Sequence, residues 1–127
     1  MAQVIRTLPP HPVVLVMGQG ERDIPGDLNG PVVVTPTCIA IGTDAEEDIE
    51  IWLAASKVEL PPALRDELSQ VHDGELHTPT RVVSIYDTAL TALLRASVNS
   101  VRTRVRVLTS GTQPTHVAVI VSAPPHA

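Results

Sequence analysis

Apolar and polar residues along this chain alternate mostly with period two, the spacing of strand side chains, and a single stretch keeps a helical spacing. The clearest alternation runs from Ala89 to Leu108, ALTALLRASVNSVRTRVRVL. It predicts two strands joined by the two-residue turn Asn99-Ser100, with Val98 facing Val101, Ala96 facing Thr103, Leu94 facing Val105 and Ala92 facing Val107. Those residues share one face, while Arg95, Arg102, Arg104 and Arg106 share the other, because strand side chains alternate. A helix competes for the first half of this stretch: Asp87 suits a cap, and Leu90, Leu93 and Leu94 would form its stripe. The alternation of Leu90, Ala92, Leu94, Ala96 and Val98, in step with the strand that follows, favours strand.

The rest of the chain reads similarly. Met1 to Pro12 carries three prolines and is expected to lie extended or frayed over residues 1–11. Pro12 to Met17 is a first strand, followed by a polar loop to Gly30. Pro31 to Thr43 is strand interrupted at Pro36, whose missing N–H places it at a sheet edge or a bulge. Beyond the acidic loop, Ile49 to Ala54 puts Ile49, Ile51 and Leu53 on one face, and these two runs are expected to form a second hairpin. Leu60 to Val71 is the helix candidate, with Pro61 and Pro62 in the first turn and Gly74 at the stop. Thr80 to Tyr86 and Thr115 to Ser122 alternate again, and residues 123–127 read as a frayed end. About seven short strands with polar turns predict one mainly β domain over residues 1–127, an antiparallel β-sandwich with one short helix. A small β-barrel is the alternative.

Composition narrows this picture. With no Phe, one Trp and one Tyr, the core must be filled by Val, Ile, Leu and Ala, and twelve prolines work against long helices. The formal charge of −5 speaks against general nucleic-acid binding, which calls for a basic surface. One cysteine allows no internal disulfide. The apolar run Pro12 to Met17 is too short for a signal-peptide core or a membrane span, so a cytoplasmic protein without membrane association is expected.

Three clusters and one aromatic residue carry candidate chemistry. The arginine face of Arg95, Arg102, Arg104 and Arg106 suits carboxylates or phosphate, since a guanidinium pairs with either through two parallel bonds. It serves equally as a solvated outer face paired with acids of neighbouring strands. The acidic loop Asp44, Glu46, Glu47 and Asp48 lacks the spacing and glycine of a calcium loop and reads as a charged hairpin tip. His72 and His77 are weak metal candidates without further ligands at zinc spacing, so no metal and no cofactor is assigned. Trp52 is either an interface anchor or a roof over the core. Gly18-Gln-Gly20 is no dinucleotide turn, because Asp23 stands at the third glycine position and Pro25 interrupts the helix that should follow. Cys38 reads as a small buried hydrophobe, and a Cys38–His116 pair has no local support.

The order of elements resembles that of the bacterial competence-protein-J-like group. The parallel runs through a strand pair ending in EDIEIWLA, a polar connection, RVVSIYD, the strand-turn-strand LLRASVNSVRTRVRV and the closing strand THVAVIVS. It covers roughly the last three-quarters of the chain and is one of pattern, with no diagnostic motif and no functional residue carried over. The resemblance implies a β-sandwich that associates with a partner nuclease and inhibits it. The residues themselves favour a non-catalytic module that binds another protein, or a second copy of itself, through a sheet face bearing Arg95, Arg102, Arg104, Arg106 and Trp52. A small-ligand or metal site around His72, His77 and the acidic loop is the alternative.

Overall fold

The structure, a computed structural model, describes residues 2–8, 11–20, 24–25, 31–44, 46–111 and 114–122. Its strands are β1 (Gln3–Thr7), β2 (Val13–Gly18), β3 (Val32–Thr35), β4 (Cys38–Gly42), β5 (Ile49–Ala54), β6 (Ser69–His77), β7 (Val82–Tyr86), β8 (Ala92–Ser97), β9 (Arg102–Thr109) and β10 (His116–Ser122). They form two five-stranded sheets, one ordered β1-β5-β10-β9-β6 and the other β3-β4-β2-β7-β8. All neighbours are antiparallel except β5 and β10. The fold is a β-sandwich, and no barrel closes.

Period-two patterning builds the layer between the sheets. Ile49, Ile51 and Leu53 of β5 meet Val14 and Val16 of β2, Ile39 and Ile41 of β4, and Val83 and Ile85 of β7, joined by Val105, Val107, Val117 and Val119. These are wholly or almost wholly buried, and each such aliphatic side chain contributes about 1.5–3 kcal/mol relative to leaving it in water. β2 is buried along its whole length. Its other face, Val13, Leu15 and Met17, packs with Cys38, Ala40, Tyr86 and Ile24 in a second cluster.

Two expected hairpins are in fact crossovers between sheets. The strands flanking Asn99-Ser100 do not pair: β8 pairs with β7 in one sheet, and β9 pairs with β10 and β6 in the other. Likewise β4 pairs with β3 and β2, while β5 pairs with β1 and β10. Leu94, Ala96, Val98, Thr103, Val105 and Val107 nonetheless face inward as the alternation marks, because a strand facing the core from either sheet shows the same pattern. Ala92 and Val101, marked with them, are instead exposed where the chain leaves the ladders. Separating β8 from β9 also removes a conflict, since paired strands would have set Arg95 opposite Arg104. The strand reading of Ala92–Ser97 holds, while Leu90 lies in the preceding turn at φ 63°.

The region between β5 and β6 departs most from expectation. A 3-10 turn (Lys57–Glu59) and a helix α1 (Pro62–Glu67) replace the longer helix, and Leu68 is already extended. β6 follows at once, although Gly74 had read as a helix stop. The segment 57–67 crosses the outside of the β5-containing sheet. Leu60, Leu64 and Leu68 cover Ala54, Leu108, Ala118 and Ile120 there. β1, expected to lie extended or frayed, is an edge strand paired with β5. The Pro36-Thr37 turn joins β3 to β4, with Pro36 outside the ladder as its missing N–H requires. No helix among the described residues is long and apolar enough to cross a membrane.

Candidate partner-binding surface

Arg102, Arg104 and Arg106 occupy alternate positions of β9 and all project from the outer face of the sheet, beside Asp73, Glu75 and His77 of the edge strand β6. Asp73 lies opposite Arg106 and Glu75 opposite Arg104, yet the ion pairs run one step along the strand. Arg104 donates from Nε and Nη2 to the two carboxylate oxygens of Asp73 at 2.9 and 2.6 Å. That bidentate clasp holds Asp73 below the usual carboxylate range and raises Arg104 further. The step leaves Glu75 to Arg102, at a looser 3.5 Å with the Arg102 side chain 64% exposed. At the other end Arg106 keeps its Nε buried without a hydrogen-bond partner.

β9 begins, and β6 ends, at the end of the sandwich where the 78–81 and 98–101 turns also lie. A buried hydroxyl pair ties these segments together. Thr78 Oγ1 donates to the Ser100 carbonyl at 2.8 Å, so the 2.8 Å contact between the Thr78 and Thr103 hydroxyls takes its proton from Thr103. The Thr78 N–H donates to the Val101 carbonyl at 2.7 Å, and the His77 N–H donates to the Pro36 carbonyl at 2.9 Å. Between these fixed segments lies a hollow of about 320 Å3 lined by Thr37, His77, Pro79, Val101 and Arg102. Arg81, exposed and at φ 59°, sits in the adjoining turn. Among the described residues, this end of the sandwich presents the exposed side chains of Arg81 and Arg102.

The other expected site residues lie elsewhere. Arg95 is on β8, exposed on the outside of the opposite sheet, with its carbonyl accepting from Gln3 Nε2 at 2.7 Å. The four-arginine face is therefore divided, three against one. Trp52 is half-buried and packs with the cluster under α1, away from Arg102. Its indole N–H donates to Glu50 Oε1 at 2.7 Å, and Glu50 Oε2 accepts from Arg6 Nη2 at 3.1 Å. The Trp52 bond, followed by Arg6 and His116, lowers the Glu50 pKa against the opposing effect of burial.

His72 and His77 fall on opposite faces of β6, being five positions apart on a strand. The two histidines therefore do not converge on one metal site. His72 faces inward over Gly74, where an added Cβ would come within 2.8 Å of its Nε2. Burial lowers its pKa, partly offset by the Asp73 charge. No group of three His, Cys, Asp or Glu side chains positioned for a metal occurs among the described residues. Cys38 and His116 belong to different sheets and to opposite ends of the sandwich. The hollow beside Arg102 was not legible in the sequence, because its walls come from turns 37, 77–79 and 101 that no local pattern links.

No protein-family model matches the chain, and no curated protein matches it by sequence. Among solved structures it is similar to the crystal structure of ComJ, inhibitor of the DNA degrading activity of NucA, from Bacillus subtilis. The likeness has a TM-score of 0.65 over 98% of this chain and 96% of that one, at 9% identity. The competence-protein-J-like resemblance is thereby borne out at the level of the fold.

Proposed function

We propose that this protein is a cytoplasmic, non-catalytic binding module of the inhibitor or immunity kind, whose protein partner docks on the basic end of the sandwich. The observation that carries the reading is Arg102. It is loosely held by Glu75, largely exposed, and set at the rim of an apolar hollow with fixed walls. An arginine beside an apolar recess is the composition of an interface hot spot. The shared fold with ComJ, itself an inhibitor of a DNA-degrading activity, supports an inhibitory role and makes a nuclease the first partner class to try.

The test is affinity capture from an extract of the cells that make the protein, using wild-type and Arg102→Glu chains as bait. A specific partner retained by the wild type and lost on Arg102→Glu is the expected result. An identical set of captured proteins would contradict the reading. Addition of the chain to the captured partner then reads inhibition directly.

Self-association is the second reading, favoured by the opposite charge of the two ends: Asp44, Glu46, Glu47 and Asp48 at one, Arg81 and Arg102 at the other. Pairing of these ends between copies predicts an oligomer that dissociates with salt, because exposed charge pairs are screened. Mass-resolved gel filtration showing a monomer at both low and high salt would remove it.

A further inference from the structure

The hollow itself narrows the kind of partner segment that fits, an inference that rests on the reading just given. At about 320 Å3 and open on one side, it lies at the lower limit of pockets that take a small molecule. It suits a single inserted side chain better than a separate ligand. Val101 and Pro79 make the recess apolar, and Val101 remains 50% exposed at the tip of the 98–101 turn. Covering it on binding is favourable, in proportion to the apolar area removed from water. The backbone of the walls needs no reordering, since Thr78 fixes Ser100, Val101 and Thr103 while His77 fixes Pro36. A preformed recess of this kind binds with little entropic penalty.

The rim supplies the charge preference. Arg102 lines the hollow and carries it, and Glu75 holds that guanidinium only loosely, at 3.5 Å. We propose that the hollow seats one apolar side chain of an extended acidic segment of the partner protein, and that Arg102 turns from Glu75 to the carboxylate beside that side chain. A polyanion without apolar side chains satisfies only half of this site, because it leaves the Val101 and Pro79 walls uncovered.

The experiment is fluorescence anisotropy at low salt with a labelled peptide, Ser-Asp-Glu-Leu-Asp-Glu-Ser. Its controls are the same peptide with alanine in place of leucine and a single-stranded oligonucleotide of equal charge. The leucine peptide is expected to bind, and to bind about tenfold more weakly when its leucine is replaced or when the protein carries Arg102→Gln. Val101→Asp should abolish binding while the melting temperature stays at the wild-type value. Failure of the leucine peptide to bind, equal binding of the alanine peptide, or tighter binding of the oligonucleotide would each overturn the inference. The capture experiment separates the two proposals. If Arg102→Glu still loses the partner while no peptide binds, the docking surface stands and the side-chain preference falls. If capture is unaffected as well, both fall.

Discussion

Among the described residues, one end of the sandwich gathers acids and the other exposed arginines, and the two use their charge differently. At the acidic end, the Asp44 carboxylate accepts from the backbone N–H groups of Glu46 and Glu47 at 2.8 and 3.0 Å, and Glu50 is engaged by Trp52 and Arg6. Its turn is shaped by its own acids. At the basic end the turns are held by threonine hydroxyls and backbone groups, so Arg102 is not needed to hold the fold and remains available. Charge that builds a turn is already spent, whereas charge mounted on an independently fixed frame can recognise something else. Net charge alone points to the acidic end, whereas the loosely held Arg102 lies at the other.

The largest expected effect tests the frame of the basic end. Thr78→Val leaves the Ser100 carbonyl and the Thr103 hydroxyl without their partner and should destabilise the protein by about 1–3 kcal/mol in urea unfolding. It should also weaken partner capture with Arg102 intact. The counterpart is Asp44→Ala, which frees two backbone donors and should cost about 1 kcal/mol, as the loss of a helix cap does, with capture unchanged. If both variants affect capture alike, the distinction between the ends fails.

The fold explains most of its own legibility. Alternation marked Leu94, Ala96, Thr103, Val105 and Val107 as inward, and they are. It could not say whether two inward-facing neighbours share a sheet or face each other across the core, so two crossovers read as hairpins. β6 escaped notice because Leu76 is its single fully buried side chain, while His72 and Gly74 blur the inward row. The leucines before it extended the apparent helix into it. Arg102 and Arg104 were visible as candidates. That one is clasped and the other loosely held depends on the one-step offset to Asp73 and Glu75, which only the pairing with β6 reveals.

Titration sharpens the contrast on a smaller scale. Asp73 and Glu50 are held below their ordinary values of 3.8 and 4.5. The stability they contribute is complete above those values and is lost as pH falls through the lower folded ones. His72 acts earlier. Its folded pKa is depressed, so as pH drops below its ordinary 6.5 the unfolded chain takes up the proton first and stability declines. His72→Gln should flatten the decline that begins near pH 6.5, and Asp73→Asn should reduce the steeper loss below pH 4, both read by urea midpoints across pH.

The smallest effect on stability is expected at the residue with the largest effect on binding. Arg102→Glu breaks only an exposed, loose ion pair and should shift stability by less than about 1 kcal/mol.

The most direct test of the account sets the two ends against each other in one capture experiment. Arg102→Glu with Val101→Asp reverses the basic end, and Glu46→Lys with Glu47→Lys reverses the acidic one. The first pair of substitutions is expected to lose the partner while the second retains it at wild-type yield. Retention by the first pair and loss by the second would contradict it and move the binding surface to the acidic end.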